Sequence, residues 1–357
     1  MRPLARRNRR IRSTALMIAT VAALALAAFV VAGLPAGARA GAPDATTNGA
    51  ATWFAPLTPD WDDTSVGSGA GGLRLNGNPA GAASIRTSQP QGMLLTPVHR
   101  LAEPGNQVVA ELVADQPAGS TVAVDVRGTR PDGSWTEWVP TSMGTPAVWD
   151  ALVTAVQTRV VLHGGDGSAS PLVRSVRLTA QTVAQPLAAR PRSPRSYRVF
   201  ATREGLIGGT TANGHVIRER DHFVALPSRR GLAPRGSGDY TVKVCSDSGR
   251  CEWAPVWDVG PWNTTDDYWN SPQGRQSWRD LPRGRPQAQA AYDDGHNGGQ
   301  DQFGRQVLNP AGIDLADGTF WDGLGLRDNS WITVTYLWVD DGPRAIVRLP
   351  LLHVRSG

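Results

Sequence analysis

Apolar and polar residues alternate along several short runs in the first half of the chain. In residues 107–114 and 121–127, every second side chain is valine, alanine or leucine. This period of two is typical of strands with one buried face, and further strands are predicted at 158–162 and 172–180. Because no convincing helical pattern separates these runs, we predict a β-sandwich of about 100 residues across 86–181.

A second group of strand-like runs follows, and glycine-rich turns separate its members. Short strands joined in this way are typical of a small closed barrel that leaves no free edge. We therefore predict an all-β chain in which the sandwich precedes a barrel at 198–345. The runs of this second group cover residues 198–202, 223–226, 240–244, 256–259 and 331–337.

The stretches before and between these two regions lack an apolar face. Residues 41–85 are rich in Gly, Ala, Ser and Thr, which predicts a flexible lead-in. Within it, Trp53, Phe54 and Trp61 are expected to dock on a neighbouring domain. Residues 182–197 carry several prolines and arginines, which predicts a semi-rigid linker.

The N-terminus has the composition of an export signal. Six arginines lie within the first twelve residues, an almost uncharged apolar run follows at 15–34, and Ala38-Arg39-Ala40 offers a cleavage site. This order predicts a signal peptide over residues 1–40 and a secreted, extracellular protein, with the cell wall as one place of association. The alternative is an uncleaved anchor, because the apolar run approaches the roughly 20 residues of a membrane span. Only in that case is the membrane a partner.

The charge of the chain depends on this signal. The whole sequence has a net charge of +5, but residues 1–40 contain seven arginines and no acidic residue. Of the 36 basic side chains, 29 remain in the exported part, against 31 acidic ones. No basic run is interleaved with aromatic residues, so nucleic-acid binding is excluded as a function.

Cys245 and Cys251 are the only cysteines, and they flank a polar turn between two strand-like runs. In an exported protein this spacing predicts a disulfide across a hairpin. A metal site is not expected, because no second cysteine pair or histidine cluster accompanies them. The sequence contains no motif for a cofactor either.

Three motifs in the barrel region carry the residues of most chemical interest. They are Thr211-Ala212-Asn213-Gly214 with Val224-Ala225-Leu226-Pro227, then Trp257-Asp258-Val259-Gly260-Pro261, and finally Ile313-Asp314-Leu315 before Leu324-Gly325. In this order they resemble the double-psi β-barrel of rare-lipoprotein-A-like and expansin-like proteins. More distantly, they resemble the catalytic domain of membrane-bound lytic transglycosylases. The resemblance spans about 200–340 and implies a six-stranded double-psi barrel. The preceding sandwich loosely resembles jelly-roll domains appended to secreted bacterial enzymes.

The resemblance implies that Asp258 and Asp314 line a glycan groove and that Asp258 is the general acid/base. Cleaving a β-1,4 glycosidic bond requires a proton for the leaving oxygen, and a carboxylic acid is the usual donor. Each aspartate also has a structural alternative. Asp258 before Gly-Pro is suited to capping backbone amides in a turn, and Asp314 to capping a short helix.

Other residues depart from the family pattern. His215 stands where lipoprotein-A-like enzymes have an acidic residue, and His222 matches their downstream histidine with one extra residue of spacing. Asp221 is an equal claimant in an expansin-like alignment. We group His222 with the two aspartates as catalytic candidates. The candidate substrate-binding residues are Thr211, His215, Asp221, Trp257 and Trp262, with a backbone hydrogen bond as the alternative role of Thr211.

An insertion at 263–308 separates this chain from shorter family members, and tryptophans are frequent around it. Trp262, Trp269 and Trp278 are expected either to stack on sugar rings or to form a packed lid over the barrel. The same choice applies in the sandwich to Trp135 and Trp138, for which burial in the core is the favoured interpretation.

We expect a secreted protein that acts on cell-wall polysaccharide, either peptidoglycan or a β-1,4-glucan. Its favoured activity is cleavage of peptidoglycan glycan strands in the manner of a lytic transglycosylase, or binding of these strands. The alternatives are non-catalytic, expansin-like wall loosening and a secreted scaffold for protein contacts. A groove plugged by the insertion would favour the scaffold.

Overall fold

A computed structural model describes residues 50–76, 90–165, 169–184 and 194–339. The predicted signal peptide at 1–40 and most of the proline-rich linker lie outside these ranges. Among the described residues, no helix is long and apolar enough to cross a membrane. All of the described residues fall within one compact unit.

The first part of the chain forms a nine-stranded antiparallel sheet with a sandwich-like shape. Its strands are β1 (Ala51–Phe54), β2 (Val66–Gly69), β3 (Gly72–Leu75), β4 (Gln91–Leu95), β5 (His99–Asp115), β6 (Thr121–Thr129), β7 (Val139–Pro140), β8 (Ala147–His163) and β9 (Leu172–Gln181). They follow the order β2-β3-β9-β5-β8-β6-β7, with β1 on β9 and β4 on β8. The long strand β8 pairs with β5 through its first half and with β4 through its second half. The apolar side chains of these strands form the cluster that is the core of the sandwich.

The alternation that predicted these strands is confirmed. Val108 and Ala110 of β5 are buried in the cluster together with Val124 and Val126 of β6. The prediction of a flexible lead-in is wrong for residues 50–76, because β1, β2 and β3 lie there and pair with the sheet. Leu73 of β3 is fully buried. Each of these strands is only four residues long and lies among glycines, so no alternation was recognisable in the sequence.

The second part forms a closed six-stranded barrel, which confirms the all-β architecture. Its strands are β10 (Arg195–Arg203), β11 (Val224–Leu226), β12 (Thr241–Cys245), β13 (Cys251–Val259), β14 (Ala311–Leu315) and β15 (Ser330–Tyr336). They close in the order β10-β14-β11-β13-β12-β15. The pairs β10–β14 and β11–β13 are parallel, and the other neighbours are antiparallel.

The barrel interior is filled by side chains of alternate residues from all six strands. Val199 and Ala201 of β10, for example, are fully buried with Ile313 and Leu315 of β14. Burying one such aliphatic side chain stabilises a fold by about 1.5–3 kcal/mol. The predicted disulfide is confirmed, since Cys245 and Cys251 are bonded and are register partners in the β12–β13 hairpin.

The sandwich and the barrel share part of their core. Trp138 is buried in the barrel cluster rather than in the sandwich cluster, and its Nε1 donates a hydrogen bond to the carbonyl oxygen of Leu232 at 3.2 Å. Trp135 packs against the same cluster, with the guanidinium of Arg127 4.0 Å from its ring centroid. Both indoles are therefore packing residues, as the core interpretation predicted, but they fill the junction.

The insertion folds onto the barrel around buried polar groups. It contains one α-helix, α1 (Gln287–Asp294), and Arg275 forms a buried ion pair with Asp266. The hydroxyl of Tyr268 donates a hydrogen bond to the carbonyl oxygen of Gly312 at 3.0 Å, at the beginning of β14. Trp269 is fully buried in the barrel cluster. The insertion therefore covers the end of the barrel at which β14 begins.

Candidate functional site

Asp314 lies in β14, one residue before the end of that strand. Its side chain is 4% exposed, and Oδ1 accepts a hydrogen bond from the hydroxyl of Thr202, its register partner in β10. The N-cap interpretation is wrong, because the helical turn after β14 begins at Gly318 and the residue before it is Asp317. The helical turn therefore begins later in the chain than the N-cap role of Asp314 requires.

Asp258 lies in β13 and Asp314 in β14, and both strands are neighbours of β11. Ala225 of β11 is the register partner of both aspartates. Since neighbouring strands are about 4.8 Å apart, the two Cα atoms are separated by about 10 Å. Asp258 is 7% exposed, and its Oδ1 accepts hydrogen bonds from the backbone N–H groups of Ala212 and Val259, both at 2.8 Å. The carboxylate of Asp258 therefore caps backbone amides, which is the structural role that the sequence predicted as the alternative to catalysis.

The segment from Thr211 to Gly214 is buried at the junction with the sandwich. Thr211 is 2% exposed, and its hydroxyl donates to Oδ1 of Asn213 at 2.7 Å and accepts from the backbone N–H of His215 at 3.0 Å. Gly214 has a φ of +89°, and a Cβ there would overlap the hydroxyl of Thr64. Thr211 thus has the backbone-bonding role that was the alternative to sugar binding.

Three of the predicted substrate-binding residues do come together. Nε2 of His215 is 2.6 Å from Oδ2 of Asp221, and the same carboxylate oxygen accepts a hydrogen bond from the backbone N–H of Arg218 at 2.7 Å. The His215 ring centroid is 4.7 Å from that of Trp257, which in turn stacks on Phe223 at 5.4 Å. The Asp221 carboxylate therefore holds the imidazole of His215 against the stacked rings of Trp257 and Phe223.

A second histidine–carboxylate pair lies beside the first. Nδ1 of His222 is 2.7 Å from Oε1 of Glu252 in β13, and the hydroxyl of Thr319 donates to the same oxygen at 3.3 Å. His222 is 48% exposed, whereas Glu252 is mostly buried. Histidine is therefore the accessible member of this pair, and its Nε2 is the ring nitrogen that this contact leaves available.

Glu252 is a residue of this group that was not among the candidates from the sequence. This residue is 30 positions from His222, and no motif connects the two. The available signal was its parity in the strand, because Glu252 alternates in step with Ala254 and Val256, whose side chains lie in the barrel core. A carboxylate at such a position requires a partner, since an unpaired buried charge is costly.

A single π-helical turn, Gly318–Gly323, joins these groups. The backbone N–H of Gly318 donates to the carbonyl oxygen of Asp221 at 2.9 Å, and the N–H of Ala316 donates to that of Phe223 at 3.0 Å. A Cβ at Gly318 would overlap the carbonyl oxygen of Arg220, so this close approach requires glycine. π-Helical turns are frequent at functional sites.

Trp262 lies apart from this group. It packs against Ala288, Ala291 and Val307 of the insertion, and its Nε1 donates to Oδ1 of Asn309 at 3.1 Å. Trp262 is therefore a packing residue of the insertion, as the alternative of a packed lid predicted. Among the described residues, no group of three histidine, cysteine or acidic side chains is arranged to hold a metal ion.

A family model and solved structures both match this chain. A family model described as "Domain of unknown function (DUF8814)" matches residues 195–335, which include the barrel and its insertion. No curated protein matches the chain. Among solved structures, the chain was aligned with one described as "Truncated AlyQ with CBM32 and alginate lyase domains", with 10% sequence identity over 80% of this chain and 97% of that one. The TM-score of 0.19 is too low for that likeness to carry an argument.

Proposed function

We propose that this protein acts on cell-wall polysaccharide, with peptidoglycan as the first substrate to test. The observation that carries the proposal is the pair of histidine–carboxylate contacts, His215–Asp221 and His222–Glu252, in which both histidines lie on the loop between β10 and β11. The order of the sequence motifs and the parallel pairs β10–β14 and β11–β13 support a double-psi barrel. The sandwich would then be a jelly-roll-like accessory domain.

The chemistry assigned to this site is proton transfer to the leaving oxygen of a glycosidic bond. Histidine is the side chain that most readily gives or takes a proton near neutral pH, and a carboxylate on one ring nitrogen orients the other toward a reactant. In this proposal His222, rather than the more deeply buried Asp258, reaches the glycan. A lytic reaction needs only one such group, because a hydroxyl of the muramic acid unit is the nucleophile.

Non-catalytic glycan binding is the second candidate function. It is favoured by the burial of Asp258 and Asp314, both of which are engaged in internal hydrogen bonds. Such a protein would bind or loosen wall polysaccharide in the manner proposed for expansin-like proteins. The scaffold alternative has less support, because the insertion packs where β14 begins. His222 instead contacts Glu252 at the start of β13, the strand whose far end leads into the insertion.

Secretion is part of the proposal. It is supported by the order of charged and apolar residues in the N-terminal 40 positions. The disulfide between Cys245 and Cys251 is compatible with an oxidising compartment. Mass spectrometry of the exported protein would show whether its N-terminus follows Ala40.

The test uses the exported protein with purified peptidoglycan and with cellulose, and follows both pelleting and soluble fragments by mass spectrometry. We expect peptidoglycan fragments with anhydro ends from the wild type and a loss of at least about tenfold in their rate for His222→Gln. His296→Gln is the matched control, because His296 contacts Asp280 in the insertion at 2.8 Å.

The outcomes separate the candidate functions. Pelleting without fragments would support the binding function and remove the catalytic one. Equal loss of fragments in both histidine variants would show a general effect on the fold. If the wild type neither pelleted with nor cleaved either polysaccharide, the proposed function would be wrong.

A further inference from the structure

Trp321 is a large aromatic side chain on the surface of the π-helical turn, and it is 37% exposed. Two arginines lie over its ring. The guanidinium carbon of Arg203 is 4.8 Å from the ring centroid, and that of Arg220 is 5.2 Å away. The three side chains form one surface cluster, which we term the Trp–Arg cluster.

Carboxylates hold both arginines in place. Nη1 of Arg203 is 3.1 Å from Oδ1 of the buried Asp317, and Nη2 of Arg220 is 2.5 Å from Oδ1 of Asp322. About half of each arginine side chain remains exposed. A guanidinium has five N–H donors in a fixed plane, and these contacts use one nitrogen of each. The remaining donors are thus oriented beside the indole.

The Trp–Arg cluster adjoins the proposed site. Arg203 follows Thr202, whose hydroxyl contacts Asp314, and Arg220 is two residues before His222. Thr319, two residues before Trp321, donates to the Glu252 carboxylate that contacts His222. A glycan strand that reaches His222 would therefore meet the cluster at a neighbouring sugar unit.

We infer that the Trp–Arg cluster is a subsite for a sugar unit that carries a carboxylate. Guanidinium groups bind carboxylates through paired, charge-assisted hydrogen bonds, and the indole beneath the two arginines holds them in place by cation–π contacts. The inference rests on the proposed function and specifies its substrate class. Such a carboxylate occurs on the lactyl group of muramic acid and on uronic acids.

The overall charge of the exported part makes the inference specific. With 29 basic and 31 acidic side chains after residue 40, this part has no excess positive charge to attract an anionic polymer. Preference for an acidic glycan must then come from a local cluster. The carboxylates of Asp317 and Asp322 already pair with the two arginines. They repel any anion that does not itself form hydrogen bonds to the guanidinium groups.

The test measures the affinity of the exported protein for three soluble oligosaccharides of equal length at low and high salt. One contains muramic acid, one is an oligogalacturonate, and one is a neutral chito-oligosaccharide. We expect the wild type to bind at least one acidic oligosaccharide about tenfold more tightly than the neutral one, and we expect salt to reduce this preference. The acidic ligand that is preferred identifies the source of the carboxylate.

Variants of the cluster separate its two contributions. The double variant Arg203→Gln/Arg220→Gln is expected to abolish the preference while it retains neutral binding. Trp321→Ala is expected to reduce the preference to about threefold, because the arginines lose the ring that supports them. Trp321→Phe retains an aromatic face and should lose less. Trp253→Ala is the matched control, because Trp253 is an exposed indole with the amine of Lys243 5.0 Å from its ring.

The inference is wrong if the wild type binds acidic and neutral oligosaccharides equally, or if the cluster variants behave as Trp253→Ala does. Either result leaves the proposed function in place, because neutral binding or cleavage would persist. If the wild type binds none of the three oligosaccharides and acts on no wall polysaccharide, the proposed function falls and this inference falls with it.

Discussion

Glycine at position 214 shows how one residue connects the two parts of the molecule. Its φ of +89° is disfavoured for other residues, and Thr64 of the first part leaves no space for a Cβ. We predict that Gly214→Ala lowers the free energy of unfolding by about 2–3 kcal/mol, measured by urea denaturation. Gly208→Ala is the control, because Gly208 has a φ of +84° but no neighbouring atom within 4 Å. It should cost only about 1 kcal/mol, and equal losses would contradict the contact with Thr64.

His163 is expected to make stability depend on pH. Burial, helped by the nearby positive charge of Arg229 and opposed by Asp125, lowers the pKa of His163 to about 4. An unfolded histidine has a pKa of about 6.5, so the folded state binds fewer protons between these values. The contribution of His163 to stability is therefore complete above about pH 6.5 and is lost as the pH falls toward 4.

The measurement compares urea denaturation of the wild type and His163→Gln at several pH values from 4 to 7. The difference between their free energies of unfolding should change by at most about 3 kcal/mol over that interval, in favour of the variant at low pH. Parallel curves would contradict the lowered pKa. The comparison with the variant removes the titration of other groups, such as Asp266, whose pKa burial raises to about 6.

At the scale of elements, the disulfide hairpin supports the π-helical turn. Ser246, inside the hairpin loop, donates from its hydroxyl to the carbonyl oxygen of Leu324 at 3.1 Å, and Nε of Arg250 donates to that of Gly323 at 3.2 Å. These contacts connect the β12–β13 hairpin to the turn that carries Thr319 and Trp321. Loss of the hairpin geometry should therefore affect the candidate site.

We predict that Cys245→Ser/Cys251→Ser lowers the free energy of unfolding by about 2 kcal/mol, because the closed loop is short. Hydrogen exchange of the backbone amides at 318–324 should become faster, while the amides of β5 and β9 keep the exchange rates of the wild type. Unchanged exchange at the turn would mean that the hairpin does not support it.

At the scale of the whole molecule, the sandwich and the barrel are joined by a polar as well as an apolar junction. Glu137 of the first part accepts hydrogen bonds from Nε1 of Trp269 at 2.6 Å, from Nε1 of Trp338 at 2.9 Å and from Nδ2 of Asn270 at 2.7 Å. Trp138 beside it is buried in the barrel cluster. The two parts should therefore unfold together.

Calorimetry would test this junction. We predict one unfolding transition for the wild type and a loss of about 3–5 kcal/mol for Trp138→Ala, because a large cavity opens between the two parts. Trp61→Ala is the control, since Trp61 is among the most exposed large side chains. Two separate transitions in the wild type would contradict the shared core.

Much of the fold could be predicted from the sequence, because strand alternation and turn residues are local properties. The predicted run at 107–114 falls within β5, and the run at 240–244 overlaps β12 in all but its first residue. The disulfide between Cys245 and Cys251 was likewise predictable, because both ends of the hairpin are close in sequence. Strands β1 to β3 were missed, because four-residue runs among glycines do not establish a period.

The candidate site was only partly predictable for the same reason. The contact between His215 and Asp221 joins residues of one short loop, and both residues were among the candidates. Glu252 reaches His222 only because the barrel closes. Trp321 is one of the eight tryptophans within 198–345, and only the π-helical turn brings it into contact with two arginines. Such contacts depend on strand order, which no local pattern specifies.

The sequence by itself therefore determined the all-β class, most of the strands, the disulfide and the separation of the charged N-terminus from a nearly neutral remainder. Only the tertiary structure decided which candidates are accessible. Packing of the sandwich against the barrel buries Thr211, and the backbone N–H groups of Ala212 and Val259 occupy Asp258. Burial is a property of both packed surfaces together, and a linear pattern describes only one of them at a time.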